Sequence, residues 1–548
     1  MTTRQGRAQS LTRACLLPLV LAFASCTKSE PHPAASSPTI RRLTEAQYRN
    51  VIADVFGEDI QVSGRFDRAE RVDGLLETGT VSMGMTASAY ERYDQLARAI
   101  SAQVVDGRNR NVLIPCRPAD TKAADRACAE QFYRHVGRYL YRRPLTDKEV
   151  SKRIEIADAT TRKSADFYAG LAAGLSSLLV TPSFLYVSDH VETDPTGREF
   201  LDGYSRASRL SFFLWDTSPD EELLTAAEQG DLMTDRGLER QVARMLKSPR
   251  LENGVRAFFA DMLGFDQFDT LEKDAVIYPA FTDTVARDAK EQALRTIVGF
   301  LLDENGDYRD LFTVRKTVLT RPLGMLYHAA VEDSAGWSDH EFSAGEPYAG
   351  LLTQLSFLAL HSHPGKSSPT LRGRAIRELL LCQRIPDPPA DVNFDGFNDP
   401  NTPNKTARQR LTAHATDASC SGCHRLMDPI GLAMETFDGA GQSRVTENGA
   451  VIDPSGDMDG RPFTDAVALA HVLRDDPALT NCFATRLYGY ASHRTLGADE
   501  RPWMEYLQKN FAKDGYRFRA LAAQIAANQA FYAVQGAGDP TERQEKRP

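Results

Sequence analysis

The chain has 548 residues, 42% apolar and 25% charged, with a formal net charge of −9. That composition belongs to a globular protein long enough for several domains, and it excludes a disordered or fibrous chain. The acidic balance, with no basic stripe interleaved with aromatics, excludes a nucleic-acid binder.

In chain order, Arg4, Arg7 and Arg13 precede an apolar run, LLPLVLAFA, that ends at Ser25-Cys26. The run is too short to span a bilayer and reads as a secretory signal over residues 1–25. The stretch FASC is similar to a bacterial lipoprotein processing site, with Phe23 where leucine is usual. Cys26 would then carry lipid at the mature N-terminus, and Cys15 would leave with the signal. A soluble exported protein cut nearby is the alternative. Residues 26–40 are polar and Pro/Ser-rich and read as a flexible tether. No later stretch is apolar enough to cross a membrane. The expected location is the bacterial cell envelope, with a lipid anchor facing the periplasm or the outer surface.

The body then shows recurring helix signals. Thr44 to Gln47 forms a capping box, followed by Tyr48, Val51, Ile52, Val55 and Phe56 on one apolar face. Thr146 to Glu149 repeats the box. Ser218-Pro219-Asp220-Glu221 and Ser368-Pro369 each suggest a helix with proline at its first position. Alternating polar and apolar runs are few, so the fold class is mainly α. Breaks are expected near 104–128, 190–200, 328–347 and 384–406, the last crowded with Pro, Asn and Asp. No short-period repeat is visible.

Outside the signal and Cys26 there are six cysteines: Cys116, Cys128, Cys382, Cys420, Cys423 and Cys482. Residues 420–424 read CSGCH. In c-type attachment two thiols add to the haem vinyl groups, and the adjacent histidine ligates iron from below. Ser421 and Gly422 are small enough for the tight spacing this needs. A thioredoxin-like dithiol would want a strand–motif–helix unit, and TARQRLTAHATDAS upstream reads as helix or loop. Zinc would want four ligands, and His414 and His424 are the nearest additions to the cysteines. If Cys420 and Cys423 hold haem, the remaining four pair naturally as Cys116–Cys128 and Cys382–Cys482, with buried thiols as the alternative.

For the other face of iron, Met427 is too close in sequence. Met434, Met458 and Met504 are possible sulfur ligands, and His471 and His493 possible nitrogen ligands. Met458, in the loop DPSGDMDG, is the distal candidate. An open or water-bound face is equally expected. Downstream, Pro429 and Gly431 suggest a turn, and Leu432, Met434 and Phe437 could close apolar surface over a macrocycle. Asp428, Glu435, Asp438 and Arg444 could sit near the redox centre and tune it, or simply build a salt-linked loop.

The run CSGCHRLMDPIGLAMETFDGAGQSR resembles the haem module of the planctomycete-type cytochrome c multidomain family. The resemblance extends over roughly residues 40–535, through RRLTEAQYRNVIADVFG, RYLYRRPLTDKE, YSRASRLSFFLWDTSPDEELL and VIDPSGDMDGRPF. It implies an N-terminal module at 41–103 (DUF1587-like), a second at 126–188 (DUF1595-like) and a central one at 198–325 (DUF1592-like). A haem-binding module at 346–447 (DUF1588-like) and a C-terminal module at 450–535 (DUF1585-like) follow. The implied architecture is a multidomain helical body with a C-terminal cytochrome c-like haem module. Cys420 and Cys423 match the attachment cysteines and His424 the proximal iron ligand of one covalent haem c. The sequence departs from the family pattern at Leu75, beside Asp73, and at YGYASHRTL, where His493 is peculiar to this chain.

The leading functional expectation is a lipid-anchored mono-haem protein that passes single electrons to an unidentified redox partner. One alternative is a haem-dependent oxidoreductase holding an organic substrate beside iron. Another is a helical scaffold with a structural haem. No catalytic residue is assigned, and whether the protein is an enzyme is left open. No phosphate loop or hydrolase constellation competes.

Overall fold

The computed structural model describes residues 1–3, 30–193, 197, 199–333, 335–387, 403–414 and 418–534, without the side chains of 413, 414, 418 and 419. Cys15 and Cys26, most of the signal, and the central part of the 384–406 segment lie outside the described residues, as does the His414 side chain. The chain divides into two units, Met1–Pro31 and a second that begins at His32 and holds the elements described below.

Local signals place many of the helices. Thr44 Oγ1 accepts from the Gln47 N–H at 3.1 Å while Gln47 Oε1 accepts from the Thr44 N–H at 3.3 Å, opening the helix Glu45–Phe56. Thr146 and Glu149 do the same for Asp147–Ser164. Ser368 caps the helix Pro369–Ala375, with proline at its start as its sequence suggests. The Ser218-Pro219 expectation needs correction. The helix there is Glu221–Glu228, and its cap is Asp220, whose Oδ1 accepts from the Leu223 N–H at 2.9 Å. The same carboxylate binds Arg244 at 2.7 and 2.9 Å, so a tertiary partner selects the later cap.

The molecule is mainly α. The strands among the described residues form five two-stranded antiparallel ribbons of two to four residues per strand. Such strands are too short to show a period of two in sequence. One ribbon, Ile40–Arg42 with Tyr186–Ser188, closes the first modules on themselves.

Among the described residues, the sequence modules share two large cores, beside a small cluster of Ala407, Leu411 and Leu432. The first runs from Leu43 to Val187 and takes in Phe212. The second runs from Leu201 to Val534 and includes Leu75 from the first module. Apolar burial of this kind contributes roughly 25 cal/mol per Å², so the elements within each core depend on one another. Two disulfides add covalent ties, Cys116–Cys128 and Cys382–Cys482.

Charged residues are also sealed between elements. Arg41, Glu77 and His493 are each at most 4% exposed. Arg41 Nη1 stands 3.1 Å from Glu77 Oε1, and Gln47 Nε2 donates to the same oxygen at 3.1 Å. His493 Nδ1 is 3.3 Å from it, near enough for attraction but off hydrogen-bond geometry. Burial alone would raise the Glu77 pKa; Arg41, His493 and Gln47 outweigh it and hold it down at about 2. Burial, then the charge of Arg41, push His493 down to about 4. Asp261 accepts from the backbone N–H groups of Leu76 and Glu77 and from Arg71, yet burial carries it up to about 6.

Candidate functional site

The CSGCH motif lies on the helix Ala418–Leu432. Helical spacing of three and four puts Cys420, Cys423, His424, Met427, Asp428 and Gly431 on one face. That face is clamped at its C-terminal half by the helix Pro369–Ala375. A Cβ on Gly373 would come within 2.0 Å of the Met427 carbonyl oxygen, and one on Gly431 within 1.7 Å of the Pro369 oxygen. Glycine at both places is what allows the two backbones to meet. The contacts run antiparallel, Pro369 opposite Gly431 and Gly373 opposite Met427. This register brings Thr370 to Asp428.

Pro429 lies inside the helix, which corrects the expectation of a turn at Pro429 and Gly431. A helical proline costs a backbone hydrogen bond. Here the helix is held from outside: Arg377 Nε donates to the Leu426 carbonyl at 3.1 Å, and its other nitrogens grip Asp459 at 2.7 and 2.8 Å. The helix therefore continues to Leu432.

At the N-terminal half of that face Cys420, Cys423 and His424 are half-buried, while on the opposite side of the helix Gly422 is exposed and Leu426 is 43% exposed. Both cysteines stand outside the two disulfides. His424 Nδ1 is 2.8 Å from Asp428 Oδ2, and Thr370 Oγ1 donates to Asp428 Oδ1 at 2.8 Å. The hydrogen bond to Asp428 raises the His424 pKa, against the opposing pull of burial. Facing a carboxylate, Nδ1 carries its proton, so the nitrogen that would ligate a metal is Nε2. A histidine that ligates a metal commonly has its other ring nitrogen fixed in this way.

The four charged residues downstream divide. Asp428 addresses the histidine. Glu435, 1% exposed, accepts from Ser367 Oγ at 2.7 Å and pairs with Arg444 at 3.0 Å and Arg372 at 3.5 Å. Arg372, fully buried, also donates to the carbonyls of Met434 and Phe437 at 2.7 and 3.0 Å. Asp438 Oδ1 accepts from the Ala440 and Gln442 N–H groups. These three charged residues build the loop. Met434 and Phe437 are likewise buried in the second core, while Leu432 packs with Ala407 and Leu411. The loop folds its apolar residues into the body.

Met458 sits on the strand Gly456–Met458, fully buried, and Met504 is also buried; both belong to the second core. His471 is exposed, and His493 belongs to the cluster around Glu77. Thr370 and Arg377 carried no signal in the sequence, because their role arises only from the packing of two helices.

A zinc site would gather four ligands. Among the described residues no group of three or more His, Cys, Asp or Glu is arranged to hold a metal ion. A thioredoxin-like unit would need parallel strands, and every ribbon described is antiparallel. The donor set fits c-type haem: two thiols three residues apart, an adjoining histidine with its tautomer fixed, and small residues between.

Five family models match the chain, each described as a protein of unknown function: DUF1587 at residues 41–106, DUF1595 at 128–189, DUF1592 at 201–328, DUF1588 at 348–447 and DUF1585 at 459–531. The chain belongs to the planctomycete-type multidomain family. The DUF1588 domain contains the CSGCH helix, and it and the DUF1585 domain belong to a cytochrome c-associated family. No curated protein matches, and no solved structure matches. No described helix is long and apolar enough to cross a membrane, and the two disulfides fit an exported protein.

Proposed function

We propose that this protein carries one haem c attached through Cys420 and Cys423, with His424 as the proximal iron ligand, and that it passes single electrons in the cell envelope. The observation that carries this reading is the shared helix face: both thiols and the imidazole project from its half-buried end, and Asp428 holds the Nδ1 proton. When bound, haem supplies a one-electron ferric–ferrous couple. The chain supplies two thiols for attachment, an oriented imidazole, and a helix clamped against Pro369–Ala375 so that the histidine does not swing. Cys26 is the proposed lipid anchor, and the net charge of −9 suits a basic redox partner.

The test is expression of the full chain with a haem-attachment system, read by haem stain on a denaturing gel and by the reduced pyridine hemochrome spectrum. Wild type should stain as a single-haem protein, and the variant C420S/C423S should lose the covalent signal entirely. Intact mass showing only polypeptide and lipid would end the reading.

A further inference from the structure

We propose that Asp428 is the positioning residue that sets the redox poise of the iron, biasing it toward the ferric state, with Thr370 moderating that effect. This deepens the haem reading and rests on it.

Asp428 is 6% exposed, and its two oxygens are divided: Oδ2 faces His424 Nδ1 at 2.8 Å and Oδ1 accepts from Thr370 Oγ1 at 2.8 Å. Among the described residues, no Lys or Arg forms an ion pair with it. Glu435, seven positions along the chain, is held by both Arg372 and Arg444. The charge of Glu435 is therefore largely spent on cations, whereas that of Asp428 is expressed on the imidazole. A buried carboxylate accepting the Nδ1 proton makes the ring a stronger electron donor through Nε2. Negative charge placed so close to a metal favours the higher oxidation state, because it interacts more strongly with the additional positive charge. Reduction adds one electron from a one-electron donor protein and breaks no bond; the Nδ1 proton stays between ring and carboxylate throughout.

Thr370 works against this. Its hydroxyl donates to the carboxylate and draws part of the charge away from the histidine. The two substitutions are therefore expected to act with opposite sign, which general damage to the helix pair would not produce.

The experiment measures the ferrous-to-ferric ratio of the full-length, haem-loaded protein at one fixed poise, for wild type, D428N and T370V, with the gel stain run on each. D428N should raise the ratio about tenfold, equivalent to about 59 mV for one electron. T370V should lower it, by a smaller factor. D428E, which restores the charge, should return the ratio toward wild type. If D428N fails to mature, T370V and D428E decide the matter. A D428N ratio unchanged or lowered in stained protein, or T370V moving the ratio upward, overturns the proposal while the haem reading stands. Wild-type protein that never stains overturns both.

Discussion

Around Glu77 and around Asp428 the same pair of residue types, a carboxylate and a histidine, is put to different use. Glu77 and His493 are sealed with Arg41 between the first module and the last helices, and Gln47 satisfies the carboxylate further. Asp428 and His424 meet without an arginine, at a face open enough to leave the imidazole and two thiols half-buried. Sealed charge that is matched by a cation holds elements in register. Charge that is matched only by a histidine is available to change what the histidine does.

The disulfide Cys382–Cys482 joins the two regions, since Cys382 follows the turn carrying Arg377 and Cys482 lies on the helix that ends beside His493. It closes 100 residues, against 12 for Cys116–Cys128. Loop-closure entropy predicts a loss of about 4–5 kcal/mol for C382S/C482S and about 3 kcal/mol for C116S/C128S. Denaturant midpoints under non-reducing conditions give both values. Equal losses would mean the longer loop is already restrained by the second core.

Next in size is Glu77→Ala. Removing one partner from a buried ion pair costs about 3–5 kcal/mol, because Arg41 is left buried without its counter-charge. The variant should lose that stability in urea while its haem stain matches wild type under folding conditions. Unchanged stability would show that water reaches the cluster and that it is not sealed.

Much of this contrast was legible locally and little of it at a distance. The capping boxes at Thr44 and Thr146 and the CSGCH motif each lie within five residues, so their geometry follows from chain neighbours. Asp428 was visible as one of four charged residues, but reading Pro429 and Gly431 as a turn hid its relation to His424. With the helix running through Pro429, the two are one turn apart and on the same face. What allows that helix, the grip of Arg377 and the glycine contacts at 373 and 431, is tertiary and has no local signature. The clustering of Arg41 and Glu77 with His493, which lies more than 400 positions further along the chain, is equally invisible before the chain folds. The Asp220 cap was missed for the same reason, since Arg244 helps to choose it.

The pH dependence separates the sealed cluster from its surroundings. His493 is held at about 4 against an ordinary 6.5, so in that window the unfolded chain binds a proton that the folded one does not, and stability falls as pH drops. Glu77, at about 2 against 4.5, adds a further loss at lower pH. Asp261, at about 6 against 3.8, runs the other way: the folded state binds the extra proton, and stability rises as pH falls through that range. His493→Asn, chosen because asparagine tolerates the left-handed backbone at φ 54°, removes the first effect and leaves the third. Between pH 6 and about 4.5 the variant should therefore lose less stability than wild type, measured by chemical denaturation at each pH. An identical slope would show that His493 does not stay neutral in the folded protein.

The smallest expected effect compares the two caps. Thr146→Ala removes the hydroxyl that accepts from the Glu149 N–H, at a cost of about 1 kcal/mol. The loss stops there because Glu149 remains fixed by Arg143, at 2.8 and 3.0 Å, in a half-buried pair away from the sealed cluster. Thr44→Ala removes the same bond, but its box is wired inward: Gln47 Oε1 also accepts from Arg41 at 2.8 Å and its Nε2 donates to Glu77. If Gln47 shifts when its cap is lost, the sealed cluster loosens with it, so Thr44→Ala should cost more than Thr146→Ala in the same denaturation assay. Neither variant should move the ferrous-to-ferric ratio, because neither reaches the clamped helix that holds His424.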